Sequence, residues 1–244
     1  FAMVIFMTGM VVAQSNTATT TQDGNDNKAN VEQIGQNNDA TILQDELQKP
    51  NITYPDVSNL NKAIIEQRRN RNDAFIHQKK KKNDAKVDVD GHWNQIVAKQ
   101  SIYGAGGNHA LNLKVDGNSN VANLTQDVAK NKIRGLYGKP FLIQGNGNNL
   151  DVYQHGNEHR VKGRMIGHGN DVDIIQRKDV LNKVELDLLG SYNKVDINQT
   201  GVRTGNYWDA GNNKAWVTVR GNGHDATIMQ TGNNNASTVT QKSW

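Results

Sequence analysis

No cysteine occurs among the 244 residues. That excludes disulfides, thiolate zinc sites and a cysteine nucleophile. Proline is almost missing too, at 3 residues, which sets the chain apart from typical disordered sequences. Aromatic residues make up 6% and hydrophobic residues 35%, against roughly 45–50% apolar residues, glycine included, in an ordinary globular domain. A thick core is therefore not available. The formal charge of +4 is too small to require a nucleic-acid partner. Long hydrophobic runs are also lacking after the first dozen residues. Residues 1–12, FAMVIFMTGMVV, are too short to span a bilayer as a stable helix. They end at Ala13, a small residue suited to a cleavage site. Residues 1–13 are therefore expected to be the remnant of a secretory signal peptide, with an exported chain beginning at Gln14.

What the chain has instead is amide and glycine: 34 Asn, 17 Gln and 23 Gly. A polar chain of this kind can order if its amides bond to one another in stacked β-structure. The amides also recur on a period. Gln33, Gly35, Asn38, Ala40, Ile42 and Gln44 define the unit Q-x-G-x-x-N-x-A-x-I-x-Q. The same offsets return in the units containing Gly91 to Gln100, Gly117 to Gln126, Gly145 to Gln154, Gly167 to Gln176, Gly190 to Gln199, Gly221 to Gln230 and Gly232 to Gln241. Weaker copies fill the gaps, at Gln67 to Gln78 and Gln154 to Met165. Each unit is eleven residues, and the strong copies at Ile143, Met165 and Leu188 start 22 or 23 residues apart.

The spacing has a direct physical reading. Asn, Ala or Val, Ile or Val, and Gln stand two residues apart, so they share one face of a strand. Asp, Lys, Arg and Thr fall between them, on a face suited to water. The G-x-x segment is a turn in which glycine can adopt a positive φ. The fold class is therefore expected to be all-β: a two-sheet β-solenoid of stacked 22-residue strand-turn-strand-turn rungs. Stacking at about 4.8 Å places Gln on Gln and Asn on Asn, where amides bond along the stack.

The unit Gln33 to Gln44, and its near copy Gln230 to Gln241, resemble the curlin repeat, the building unit of curli, the secreted amyloid fibres of bacterial biofilms. The resemblance implies export across the outer membrane of a Gram-negative-type bacterium. It also implies polymerisation into extracellular, fimbrium-like fibres and a role in matrix formation and adhesion. The partners it implies are a second copy or another curlin-like subunit, and the outer-membrane secretion machinery. The ladder or polymerisation residues implied are Gln33, Asn38, Gln44, Gln100, Gln126, Gln154, Gln176, Gln199, Gln230 and Gln241. The arch glycines are Gly35, Gly91, Gly117, Gly145, Gly167, Gly190, Gly221 and Gly232.

The organisation expected is a leader remnant at 1–13, first repeats at 14–44, an irregular insertion at 45–66 and the solenoid at 67–244. The insertion carries Pro50 and Pro55, and 58–66 (SNLNKAIIE) reads as a short helix with Ser58 as its N-cap. Unit starts such as Val89, Leu188 and Val219 lack the expected Gln, and Trp208 lies in an enlarged arch. Such departures suit a minor or nucleating subunit better than a uniform major one. The alternative is a monomeric solenoid adhesin that meets a surface or polysaccharide through its enlarged arches. Lys79, Lys80, Lys81 and Lys82 are the strongest charge run. They form either a patch for polyanionic matrix components or a solvated turn that keeps an edge soluble. His155 and His159 lie four apart across a predicted turn rather than on a helix, so no metal site is expected. No cofactor cradle or catalytic set is present, and an enzyme is not expected.

Overall fold

In the computed structural model, residues 15–23, 26–45, 60–80, 82–100, 107–201 and 212–243 are described. They form a β-solenoid of nineteen strands in two parallel sheets. The strands are β1 (Thr17–Gln22), β2 (Lys28–Ile34), β3 (Asp39–Asp45), β4 (Lys62–Arg68), β5 (Asp73–Lys79), β6 (Asp84–Asp90), β7 (Gln95–Gln100), β8 (Ala110–Asp116), β9 (Val121–Ala129), β10 (Lys132–Arg134), β11 (Phe141–Gln144), β12 (Asn149–Asn157), β13 (Arg160–Ile166), β14 (Asp171–Val180), β15 (Lys183–Leu189), β16 (Lys194–Thr200), β17 (Lys214–Arg220), β18 (Asp225–Thr231) and β19 (Ala236–Lys242).

The first sheet holds nine strands in the order β1-β3-β5-β7-β9-β12-β14-β16-β18. The second follows β2-β4-β6-β8-β10-β13-β15-β17-β19, with β11 beside β8 and β13. Each rung thus contributes one strand position to each sheet. Every pairing is parallel, and the rungs are in register, as Asn149↔Asp171, Leu150↔Val172 and Gln154↔Gln176 illustrate, apart from a shift between His155 and Asn157 where β12 meets β14. The alternation of the sequence becomes alternation of burial: β5, for example, runs exposed, buried, half-buried, buried along its length.

The core is one residue column deep from each sheet. Ala74, Ile76, Ala85 and Val87 are fully buried, as are their counterparts through the stack. Such a core suffices because no rung is asked to bury its face alone. One rung departs from this plan. Its second-sheet strand is broken into β10 and β11 by residues 135–140, which include a 3₁₀ turn at Leu136–Gly138. The core stays filled because Phe141 enters it beside Gly163. A Cβ at Gly163 would press on Leu186 and the Phe141 ring.

The two edges of the solenoid differ. Arches running from the second sheet back to the first are uniform four-residue turns, 35–38, 69–72, 91–94, 117–120, 145–148, 167–170, 190–193 and 221–224. The strand pairs separated by the longest stretches of sequence, β3 and β4, β7 and β8, and β16 and β17, are all passages from the first sheet to the second. Connection length thus varies on one edge only, while residues 135–140 interrupt a strand of the second sheet.

One expectation is corrected. The helix read over 58–66 does not form in its described part. Residues Lys62–Arg68 are strand β4, paired with β2 and β6, with Ala63 against Ala85 and Ile65 against Val87. The ladder order of Asn61, Ala63, Ile65 and Gln67 overrides the local apolar cluster, because strand pairing on both sides outweighs a weak helical propensity. Residues 1–13, Pro50, Pro55, Ser58, Lys81 and Trp208 lie outside the described residues. No described helix is long and apolar enough to cross a membrane.

Candidate assembly interface

The repeat glutamines of the first sheet form one continuous column: Gln22, Gln44, Gln78, Gln100, Gln126, Gln154, Gln176, Gln199 and Gln230. Each Nε2 donates to the Oε1 of the next, at 2.7 to 3.0 Å. The Nε2 groups of Gln44, Gln78, Gln100, Gln126, Gln176, Gln199 and Gln230 also reach across the core to carbonyls of the other sheet, as Gln78 does to that of Lys62 at 2.9 Å. A buried amide with both functions met costs little, whereas one left unpaired costs about 1–3 kcal/mol. All eight ladder bonds run in one sense, from the earlier rung to the later, so the column has a polarity.

The second sheet treats the same slot differently. Its column reads Gln33, Gln67, Val89, Val115, Ile143, Met165, Leu188, Val219 and Gln241. Gln33 donates to Gln67 at 2.9 Å, and from Val89 to Val219 the position is apolar. Glutamine survives only at the two ends. Gln241 therefore follows Val219, and its Oε1 is buried with no partner among the described residues. The unit starts that lack Gln are thus all on one sheet, an asymmetry not legible until the strands are assigned to sheets.

The asparagines form two further columns, one at each edge. In the first, the Asn72 backbone N–H donates to Asn38 Oδ1 at 2.9 Å, and Asn72 Nδ2 donates to the Gly91 carbonyl at 2.7 Å. The pattern repeats at Asn94, Asn120, Asn148, Asn170 and Asn193. Each arch glycine therefore receives the amide of the preceding rung. Gly35, Gly91, Gly117, Gly145, Gly167, Gly190 and Gly221 share this edge, where Arg69 takes the glycine slot with φ 70°. Gly232 lies on the other edge, between β18 and β19.

Histidine replaces asparagine in the other column, at His109 and His159. The Asn131 N–H donates to His109 Nδ1 and the Asn182 N–H to His159 Nδ1, both at 3.2 Å. The ladder continues, with a ring nitrogen standing in for an amide oxygen. Both rings must be neutral to accept, and burial holds both pKa values down to about 4. Their Nε2 atoms are buried and have no hydrogen-bond partner among the described residues. The pair His155 and His159 is not a joint site: His155 bonds Asp127 on the outer face at 3.2 Å while His159 is buried in the ladder. In the sequence His159 and His224 stand at the repeat's Asn offset, whereas His109 does not, because its unit is offset by the residues before it.

The lysine run falls on an arch of the irregular edge. Lys79 ends β5, and Lys80 and Lys82 take positive φ at 66° and 59°. The Lys80 carbonyl accepts from Asn61 Nδ2. On the regular edge Arg71 lies over the exposed Trp93 ring, 4.2 Å from its centre.

At the ends of the stack, β1 and β2 form one rung and β18 and β19 the other, each with no further strand beside it among the described residues. Laid against each other in the register of the interior, β18 would continue onto β1 with Ala226 opposite Ala18 and Gln230 opposite Gln22. Likewise β19 would continue onto β2, with Val239 opposite Val31 and Gln241 opposite Gln33. Both joins fit the repeat without a shift.

A family model described as the curlin associated repeat matches residues 13–45 and 211–242, the two end regions of the stack. No curated protein and no solved structure matches the chain.

Proposed function

We propose that this curlin-repeat chain is a secreted structural subunit whose rungs continue from one copy into the next, building an extracellular curli-like fibre of the biofilm matrix. The observation that carries the reading is the match between its two open ends. Ladder polarity leaves Oε1 of Gln22 and Gln33 facing outward at one end. At the other, Gln230 Nε2 turns to Ser237 Oγ at 3.0 Å for want of a following rung. A copy added there would supply Gln22 Oε1 in its place. Unpaired parallel strands with amide ladders are templates for another chain. The curlin match at both ends supports the same reading. The role is structural and not catalytic. Partners are a second copy or a curlin-like subunit of matching ends. Export is through the outer membrane, with the leader at 1–13 removed. The apolar substitutions in the second sheet and the unequal arches favour a minor or nucleating rank.

Diluted from denaturant, the chain from Gln14 onward should form thioflavin-positive fibres with reflections near 4.7 and 10 Å. A stable soluble monomer with β-rich circular dichroism would overturn the reading in favour of a capped adhesin.

A further inference from the structure

The outer face of the second sheet carries a column of cations over four successive rungs: Lys132, Arg160, Lys183 and Lys214. Parallel pairing sets them about 4.8 Å apart along the stack. None forms an ion pair with a described residue. Next to them stand Arg134 and Lys162, and Arg134 Nε is buried without a hydrogen-bond partner among the described residues. Two hollows lie on this face, of about 240 and 290 Å³, and share Lys162 and Glu185 in their walls. Exposed aromatic rings flank them. Tyr137, 96% exposed, is held out by the turn that breaks the strand, and Trp216 stands in register beyond Glu185. The same rungs present the opposite sign on the other sheet, where Asp151, Asp173 and Asp196 align.

We propose that this face of the second sheet binds an acidic polysaccharide, a chain of sugars carrying carboxylates. Four unneutralised cations in line repel each other, and an anion relieves that cost. The pKa of Lys183 is lowered, first by burial and then by Lys214, Arg160 and Lys162. An extended uronate chain repeats its carboxylates on a scale close to the rung spacing. Its ring faces can pack on Trp216 and Tyr137. Glu185 decides between polymers. It lines both hollows, where it can accept from the free sugar hydroxyls of a polysaccharide, which the backbone of single-stranded DNA lacks. The column begins two rungs beyond the Lys79 arch, along the line Asp84, Ala110 and Lys132, and does not depend on the fibre reading.

The test is isothermal titration of the full chain, before assembly, with a mannuronate hexamer at low and moderate salt. Binding should weaken with salt. Lys183→Glu with Lys214→Glu should lose about tenfold or more in affinity. Trp216→Ala should lose about fivefold and keep the salt dependence. Lys28→Glu with Lys62→Glu, in the same column but at the far end, should bind as the parent does. Circular dichroism checks that each variant retains its fold. Absence of hexamer binding, or equal losses in the far-end variant, overturns the site. Displacement of the hexamer by single-stranded DNA of equal charge overturns the choice of polysaccharide.

Discussion

Gly145→Ala should destabilise the solenoid by about 4 kcal/mol, seen as a lower denaturant midpoint. Gly145 has φ +119°, a region that L-residues rarely enter, and a Cβ there would run into the backbone carbonyl of Gly167 one rung on. The collision is with main chain, so no rotamer relieves it. The Gly145 carbonyl is itself the acceptor of Asn120 Nδ2 at 2.8 Å, and its N–H donates to the Asp116 carbonyl at 2.9 Å. A shift to make room would therefore disturb the asparagine ladder and the rung spacing together. Gly147, two residues on in the same arch, is the control. Its φ is +64° and nothing lies within 4 Å of its missing Cβ. Gly147→Asn should cost no more than about 1 kcal/mol. Asn already takes positive φ at the equivalent Asn37.

Acid should weaken the stack well before the carboxylates titrate. His109 and His159 accept backbone N–H groups in the ladder, and burial depresses their pKa values from 6.5 to about 4. Below pH 6.5 the unfolded chain takes up protons that the folded chain refuses. Stability therefore falls as the pH drops from about 6.5 to about 4 and levels off below that. The loss is roughly 3 kcal/mol per histidine. Asp73 and Asp173 act in the opposite sense in the carboxylate range, since burial raises both. Urea titrations at a series of pH values should show the decline. His109→Asn with His159→Asn, which restores the residue that fills most of this slot, should remove most of it. A double variant as acid-sensitive as the parent would contradict the ladder role of the rings.

Much of this was legible because the repeat is a register. Spacing by two marked the inward faces, and G-x-x-N marked the turns, so the strands and the Gln column follow directly from Gln33 to Gln44 and its copies. The segment 58–66 was misread because Leu60, Ala63, Ile64 and Ile65 also suit a helix face. Only the neighbours of Ala63 and Ile65 in adjacent rungs decide the matter. The asymmetry between the two glutamine columns depends on which sheet each unit enters. The cationic face was invisible for a simpler reason. Lys132, Arg160, Lys183 and Lys214 are 23 to 31 residues apart, and it is stacking that makes them neighbours. The Lys79 to Lys82 run, by contrast, is conspicuous in sequence and occupies a single arch.

End-to-end continuation in register is the central claim, and the cysteine-free chain allows it to be tested with engineered thiols. Thr19→Cys and Thr227→Cys lie on outward positions of β1 and β18, the two end strands of the first sheet. Within one chain they are about 38 Å apart, eight rung spacings. Across a join in the proposed register they are direct neighbours, within disulfide reach. Fibres of this variant, mildly oxidised, should give a ladder of covalent oligomers on a non-reducing gel. Fibres carrying Thr19→Cys with Thr238→Cys, on the other sheet, should stay monomeric. Equal cross-linking in both variants, or none in the first, would contradict the account.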